Sequence, residues 1–166
     1  MVIRCTGKLL NLLGKHSVTL VDAPTTSDDW YANLLWIDRR KCLLIVHAET
    51  LFALLAADIR VSDLRPFERR IVDLLAAALL EEALPIDVLG RLDAGEVQLA
   101  KTASRNVLGV MNQMAFEIGW HIDQAGGLWN VEIDELNSHL RRSLHTKDGD
   151  YRVPLELVHE RLQARK

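Results

Sequence analysis

The sequence predicts an α+β domain: a small, mainly antiparallel sheet with a central hairpin, packed against several helices. Three observations lead there. Residues 30–37 and 41–48 are apolar runs joined through the charged tip Asp38-Arg39-Arg40, the pattern of a hairpin covered on both faces. Residues 62–84 and 104–125 carry apolar side chains at helical spacing. At 166 residues the chain is long enough to bury a core without a disulfide or a metal to hold it.

Taken in order, Met1 to Cys5 reads as an opening strand, and Thr6 as the cap of a helix that carries Leu9, Leu10, Leu12 and Leu13 and stops at Gly14. Thr19 to Asp29 is a polar connection. Within the hairpin, setting Asp38 opposite Lys41 places Trp36 against Leu43 and Leu34 against Ile45, all in the interior. The tip has no glycine, so a type I turn opened by Asp38 is expected in place of the type I′ form. Thr50 to Ile59 suits either a helix or a third strand. Ser62 is the expected cap of a long helix with Pro66 in its first turn and Leu64, Phe67, Ile71, Leu74, Leu75 and Ala78 on one stripe, ended by Leu84-Pro85. A short helix over Ile86 to Leu92 follows, then a strand or extended link over Glu96 to Ala100.

Ser104 opens the next strongly periodic helix, whose stripe is Val107, Leu108, Met111, Met114, Ala115, Ile118 and Ile122, closed by Gly126-Gly127. A helix near Asp134, a turn at Lys147-Asp148-Gly149-Asp150 and an amphipathic helix from Pro154 complete the chain. Residues 1–146 are read as one α+β domain. Residues 147–166 are the turn and a helix whose Leu155, Val158 and Leu162 dock on that domain or serve self-association as a homodimer.

Composition excludes several classes. Hydrophobic residues make up 49%, charged residues 26%, and the formal charge is -3, which describes a globular protein with no basic excess to advertise nucleic acid. Cys5 and Cys42 sit in apolar stretches without CxxC spacing, as reduced core residues of a cytoplasmic protein do. The opening residues lack the pattern of a secretory signal, and the apolar stretch from Ile71 to Leu80 is too short for a bilayer. No membrane role, cofactor or metal is expected.

Catalytic motifs fail on specific positions. Gly14-Lys15 lacks the glycine at Leu9 and the hydroxyl at His16 that a phosphate loop needs. His159-Glu160 lacks the second histidine of a zinc-protease helix, because Gln163 stands there, and Glu156-x-x-His159 has no second copy to complete a di-iron bundle. There is no Gly-x-Ser-x-Gly elbow. Asp87 and Glu96 echo a magnesium nuclease, but Gln98 replaces its lysine.

Two clusters remain. Lys101, Thr102, Ser104, Arg105 and Asn112 gather at a helix N-terminus, where free amide protons and two cations favour a phosphate or carboxylate. Arg39, Arg40 and Lys41 form a compact cationic tip, which could touch phosphates while Trp30, Tyr31 or Trp36 stack on bases. The plain alternative makes the first cluster a set of helix caps and the second a solvated turn over core tryptophans.

The stretches Ile3-Arg4-Cys5-Thr6-Gly7-Lys8-Leu9-Leu10, Trp30 to Cys42 with its Asn33-Leu-Leu-Trp36-Ile-Asp38 run, and Lys101-Thr102-Ala-Ser104-Arg105 leading to Met111-Asn112 resemble a family of small bacterial proteins known only as a domain of unknown function. Asn106 departs from the serine more usual there. The resemblance implies a bacterial cytosolic protein and carries no activity. Two functions are therefore expected: a non-enzymatic binding or regulatory module for a macromolecule or small anion, or an enzyme on phosphate-containing substrates such as nucleic acid, with Lys101 and Arg105 stabilising charge beside a carboxylate base.

Overall fold

The computed structural model describes residues 1–14 and 18–165. Lys15 and His16, weighed above as part of a phosphate loop, lie outside them. The chain runs β1 (Val2–Cys5), α1 (Gly7–Leu13), β2 (Trp30–Ile37), β3 (Arg40–His47), β4 (Ala53–Ala56), α2 (Phe67–Glu81), β5 (Gln98–Lys101), α3 (Arg105–Gln124), α4 (Ile133–Arg142), β6 (His145–Lys147), β7 (Asp150–Arg152) and α5 (Pro154–Ala164). The fold is α+β. Its five-stranded sheet has the order β4-β3-β2-β1-β5, and β6-β7 make a separate hairpin. The main sheet is mixed: β4, β3 and β2 pair antiparallel, while β1 runs parallel to both β2 and β5.

Alternation along the strands builds two cores. Ile3, Trp30, Ala32, Leu34, Leu43 and Ile45 face one side, where Leu9, Ile71, Leu75 and Val158 from α1, α2 and α5 cover them. Tyr31, Cys42, Leu44 and Val46 face the other, under Val107, Met111, Met114 and Ile118 of α3 and Leu140 of α4. The hairpin is thus covered on both faces. Val158 of α5 is wholly buried, with Leu155 and Leu162 against the same cluster.

Four local expectations are corrected. The hairpin register is two residues tighter than expected: Leu34 pairs Leu43, Trp36 pairs Lys41 and Ile37 pairs Arg40. The turn is Asp38-Arg39, with φ of 48° and 62°, the positive pair that a two-residue type I′ turn requires. Aspartate tolerates this region. Its carboxylate also accepts the Leu128 amide at 2.6 Å, so the tip is clamped to the turn after α3. A Cβ on Gly127, where φ is 131°, would come within 3.2 Å of that carboxylate.

Trp36 is the second correction: it is 60% exposed, because β1 pairs β2 only over residues 30–32 and the last residues of β2 outrun the layer that would cover them. The third concerns α2, which begins at Phe67 behind Pro66, while Ser62 belongs to a separate 3₁₀ turn, Val61–Leu64, held by the Asp63 carboxylate on the Arg60 amide. Ile86 to Leu92 forms turns and no helix. The ambiguous segment resolves as β4.

The outer strands are occupied by the chain itself. Asn137 of α4 brackets Leu55 of β4, accepting its amide at 2.6 Å and donating to its carbonyl at 3.0 Å, and Arg141 donates to Ala53 O. Arg141 and Arg142 both reach Glu82; burial would raise that carboxyl, but their hydrogen bonds outweigh it and hold it below its usual range. On the opposite edge Leu20 bridges Leu99, and Val21 donates to the Leu99 carbonyl.

His47 sits in the core against Trp30, its Nδ1 accepting the Thr50 amide at 3.2 Å. Burial, aided by Arg161 and Lys147, pushes its pKa down to about 3 from 6.5. The unfolded chain therefore binds a proton that the folded chain refuses, and stability falls as pH drops from 6.5 toward 3. Unfolding free energies of wild type and His47→Gln between pH 4.5 and 6.5, where Glu82 is still charged, should show the wild-type slope reduced in the variant. Trp30→Ala should cost about 3–5 kcal/mol in the same assay, whereas Trp36→Ala should change stability by less than about 1 kcal/mol.

Candidate functional site

The parallel neighbours β1 and β5 end side by side, with Cys5 opposite Lys101, and the chain leaves them in opposite directions. From β1 it passes through Thr6 into α1 on one face of the sheet; from β5 it passes through Thr102, Ala103 and Ser104 into α3 on the other. Divergence of this kind opens a crevice at the carboxyl ends of the strands, the general ligand position of open parallel sheets.

Two depressions flank it. One, of ≈ 340 Å³, is lined by Leu20, Asp22, Ala23, Lys101 and Thr102 with Arg4 at its base. The other, of ≈ 450 Å³, is lined by Cys5, Gly7, Leu10, Leu20, Lys101 and Thr102. Cys5 brings no thiol chemistry, since burial, with the nearby Glu68 charge, pushes its pKa up to about 12. Burial likewise raises Cys42.

Arg4 holds the crevice in shape. Its guanidinium is buried against Asp29 at 2.5 Å and donates to the carbonyls of Lys101, Ala23 and Pro24 at 3.2, 2.9 and 2.9 Å. Asp29 in turn accepts the Thr26 amide and hydroxyl. Four of the five N–H directions of the Arg4 guanidinium are used inside the protein, so Arg4 braces the crevice while Lys101 and Arg105 are the exposed cations beside it.

The expected site residues separate into two groups. Lys101 and Thr102 line the depressions together; Lys101 is exposed and Thr102 half-buried. Ser104 caps α3, its hydroxyl accepting the Val107 amide at 3.3 Å while its own amide donates to Tyr31 Oη at 3.2 Å. Arg105 is exposed at the first residue of α3 and lines neither depression; Asn112 is exposed two turns further along. Among the described residues neither Lys101 nor Arg105 has an ion-pair partner. Asp22, beside Lys101, and Thr6, whose hydroxyl donates to Asn33 Oδ1 at 2.8 Å, are additions that only the fold brings here.

The second cluster is less free than its charge suggests. Arg40 lies 5.2 Å over the Trp129 ring and 3.4 Å from Asp58, Lys41 lies 4.7 Å over the Trp36 ring, and Arg39 stays exposed at the turn. Trp30 and Tyr31, considered for base stacking, are buried; among the described residues the exposed aromatic rings are Trp36, Phe116, Trp120, Trp129 and Tyr151. Trp36 also lines a groove of ≈ 470 Å³ with Lys8 of α1 and Ala115, Gly119 and Asp123 of α3. Phe116 and Trp120 stand on the adjoining row of that helix.

Among the described residues no helix is long and apolar enough to cross a membrane. Neither the curated proteins nor the solved structures contain a match to this chain. A family model, a domain of unknown function (DUF6933), matches residues 2–157, taking in both cores, the crevice and the hairpin tip. Since that span is nearly the whole of the chain, the protein belongs to the DUF6933 family of unknown function.

Proposed function

We propose that the protein is a non-enzymatic binding module that takes an anionic group, a phosphate or a carboxylate, in the crevice between β1 and β5. The observation that carries this reading is the divergence of α1 and α3 from adjacent parallel strands, with Lys101 and Thr102 in the opening and Arg105 beside it. The α3 N-terminus adds its partial positive charge. Lys101 and Arg105 lend charge, Thr102 a hydroxyl, and Ser104 orients the helix mouth by capping it.

The enzyme reading needs Lys101, Arg105 and a carboxylate converging in one cavity. Asp22 does share a depression with Lys101, but Arg105 stands outside it, so the charge clamp is incomplete and binding is favoured. A second surface suits a macromolecular partner: Trp36 at 60% exposure, Trp129 at 68% and Phe116 at 79% present aromatic rings, with Arg40 over Trp129, and these residue types are enriched at protein interfaces. The pairing of Arg40 with Asp58 weighs against a nucleic-acid backbone there. The resemblance to small bacterial proteins and the two buried, unpaired cysteines support a bacterial cytoplasmic setting.

Inorganic phosphate, pyrophosphate and citrate, titrated while thermal unfolding is followed, should raise the wild-type melting temperature, and increasing salt should erode the effect. Lys101→Ala with Arg105→Ala should abolish the rise, while Arg39→Ala should leave it intact. Equal responses from wild type and the double variant would remove the crevice as the site. Turnover of a phosphate ester that disappears in Asp22→Asn would replace binding with catalysis.

A further inference from the structure

We propose that Glu117, His121 and His139 form a binding site for a divalent first-row transition metal, with Zn²⁺ the leading occupant. Glu117 and His121 are four residues apart on α3 and share a face; His139 comes from α4. One donor atom from each lies within 4.8 Å of the other two. Glu117 Oε1 is already 2.9 Å from His139 Nε2, and the His121 and His139 rings meet edge to face with centroids 4.5 Å apart. His121 and His139 open onto a groove of ≈ 350 Å³ whose lining also includes Glu132 and Glu135, residues whose negative charge favours a cation. The site is about 18 Å along α3 from its N-terminus, separate from the crevice.

His145 packs behind Glu117. It is 2% exposed, and its Nε2 lies 2.8 Å from the Leu140 carbonyl, which can only accept, so Nε2 carries the proton. In the neutral ring Nδ1 is then a bare lone pair, and it lies 3.9 Å from Glu117 Oε2. His145 thus stands behind the carboxylate oxygen that faces away from His139, and the other two ligand atoms of the cluster come from His121 and His139.

Imidazole nitrogen and carboxylate oxygen select the borderline metals of the zinc group over calcium or magnesium, which take oxygen ligands. A tetrahedral ion with bonds of about 2.1 Å sets its donors about 3.4 Å apart. Reaching that from the present spacing takes a side-chain rotation moving a donor by roughly 1 Å, which half-buried and exposed chains permit. To ligate through Nε2, His139 presents its lone pair there and keeps its one ring proton on Nδ1, so the ion takes the place of the present contacts of Nε2 with Glu117 Oε1 and with the Ser143 hydroxyl 3.1 Å away. Three protein ligands leave the fourth position to water from the groove.

Chelator-treated protein titrated with Zn²⁺ against a metallochromic competitor should bind one equivalent per chain. His121→Ala, His139→Ala and the near-isosteric Glu117→Gln should each weaken binding by at least about tenfold. His159→Ala, exposed on α5, should bind as wild type. Co²⁺ should give the visible absorption of a four-coordinate ion in wild type and not in His121→Ala. Absence of binding at micromolar Zn²⁺, or equal affinity in a folded His121→Ala/His139→Ala double variant, overturns the assignment.

Discussion

The buried Arg4–Asp29 pair is the constraint on which the rest of this structure depends. Arg4 stands on β1, which has a parallel neighbour on each side, and its guanidinium reaches acceptors in three parts of the chain: the Ala23 and Pro24 carbonyls in the connection after α1, Asp29 just before β2, and the Lys101 carbonyl at the end of β5. Burying a charge is costly unless its hydrogen-bonding directions are filled. Here three of the five are filled by backbone carbonyls and a fourth by Asp29, and two of those carbonyls belong to the 19–29 connection, which has few apolar side chains to anchor it. The requirement to satisfy one cation thereby fixes where three segments end, and the crevice is the space they leave.

Around that brace the sheet is closed on itself. Helices cover both faces, Asn137 and Arg141 occupy the backbone of β4, and the Leu20–Val21 segment runs along β5. With faces and outer strands used internally, the surfaces left for other molecules are the strand ends and the helix rows turned outward. The crevice and the aromatic face belong to the first kind and the Glu117–His121–His139 cluster to the second.

Much of this fold is legible in the residues, and the failures share a cause. The α3 stripe and its Ser104 cap follow from spacing alone, because a helix buries its residues by local periodicity. The hairpin follows from its paired apolar runs, but its register turns on Asp38 accepting positive φ, and that depends on a contact with Leu128, ninety residues away. Trp36 is apolar and sits in a strand, so pattern places it inside; its exposure reflects how far β1 extends, which β2 does not encode. Lys101 and Thr102 announce themselves by their place before a helix. Arg4, Asp22 and Thr6 join them through parallel pairing, which leaves no local mark. The histidines are scattered over α3, α4 and β6, and only the Glu117/His121 spacing hints at a shared face.

The distribution of indoles has an optical consequence. Of four tryptophans, three stand in solvent and one, Trp30, is enclosed beside His47. Steady-state emission is therefore dominated by side chains that scarcely sense unfolding, so a fluorescence melt of the native chain understates the transition. The same imbalance makes the intrinsic signal a sensitive reporter of anything that comes to rest on the hairpin tip or on α3, with no label attached.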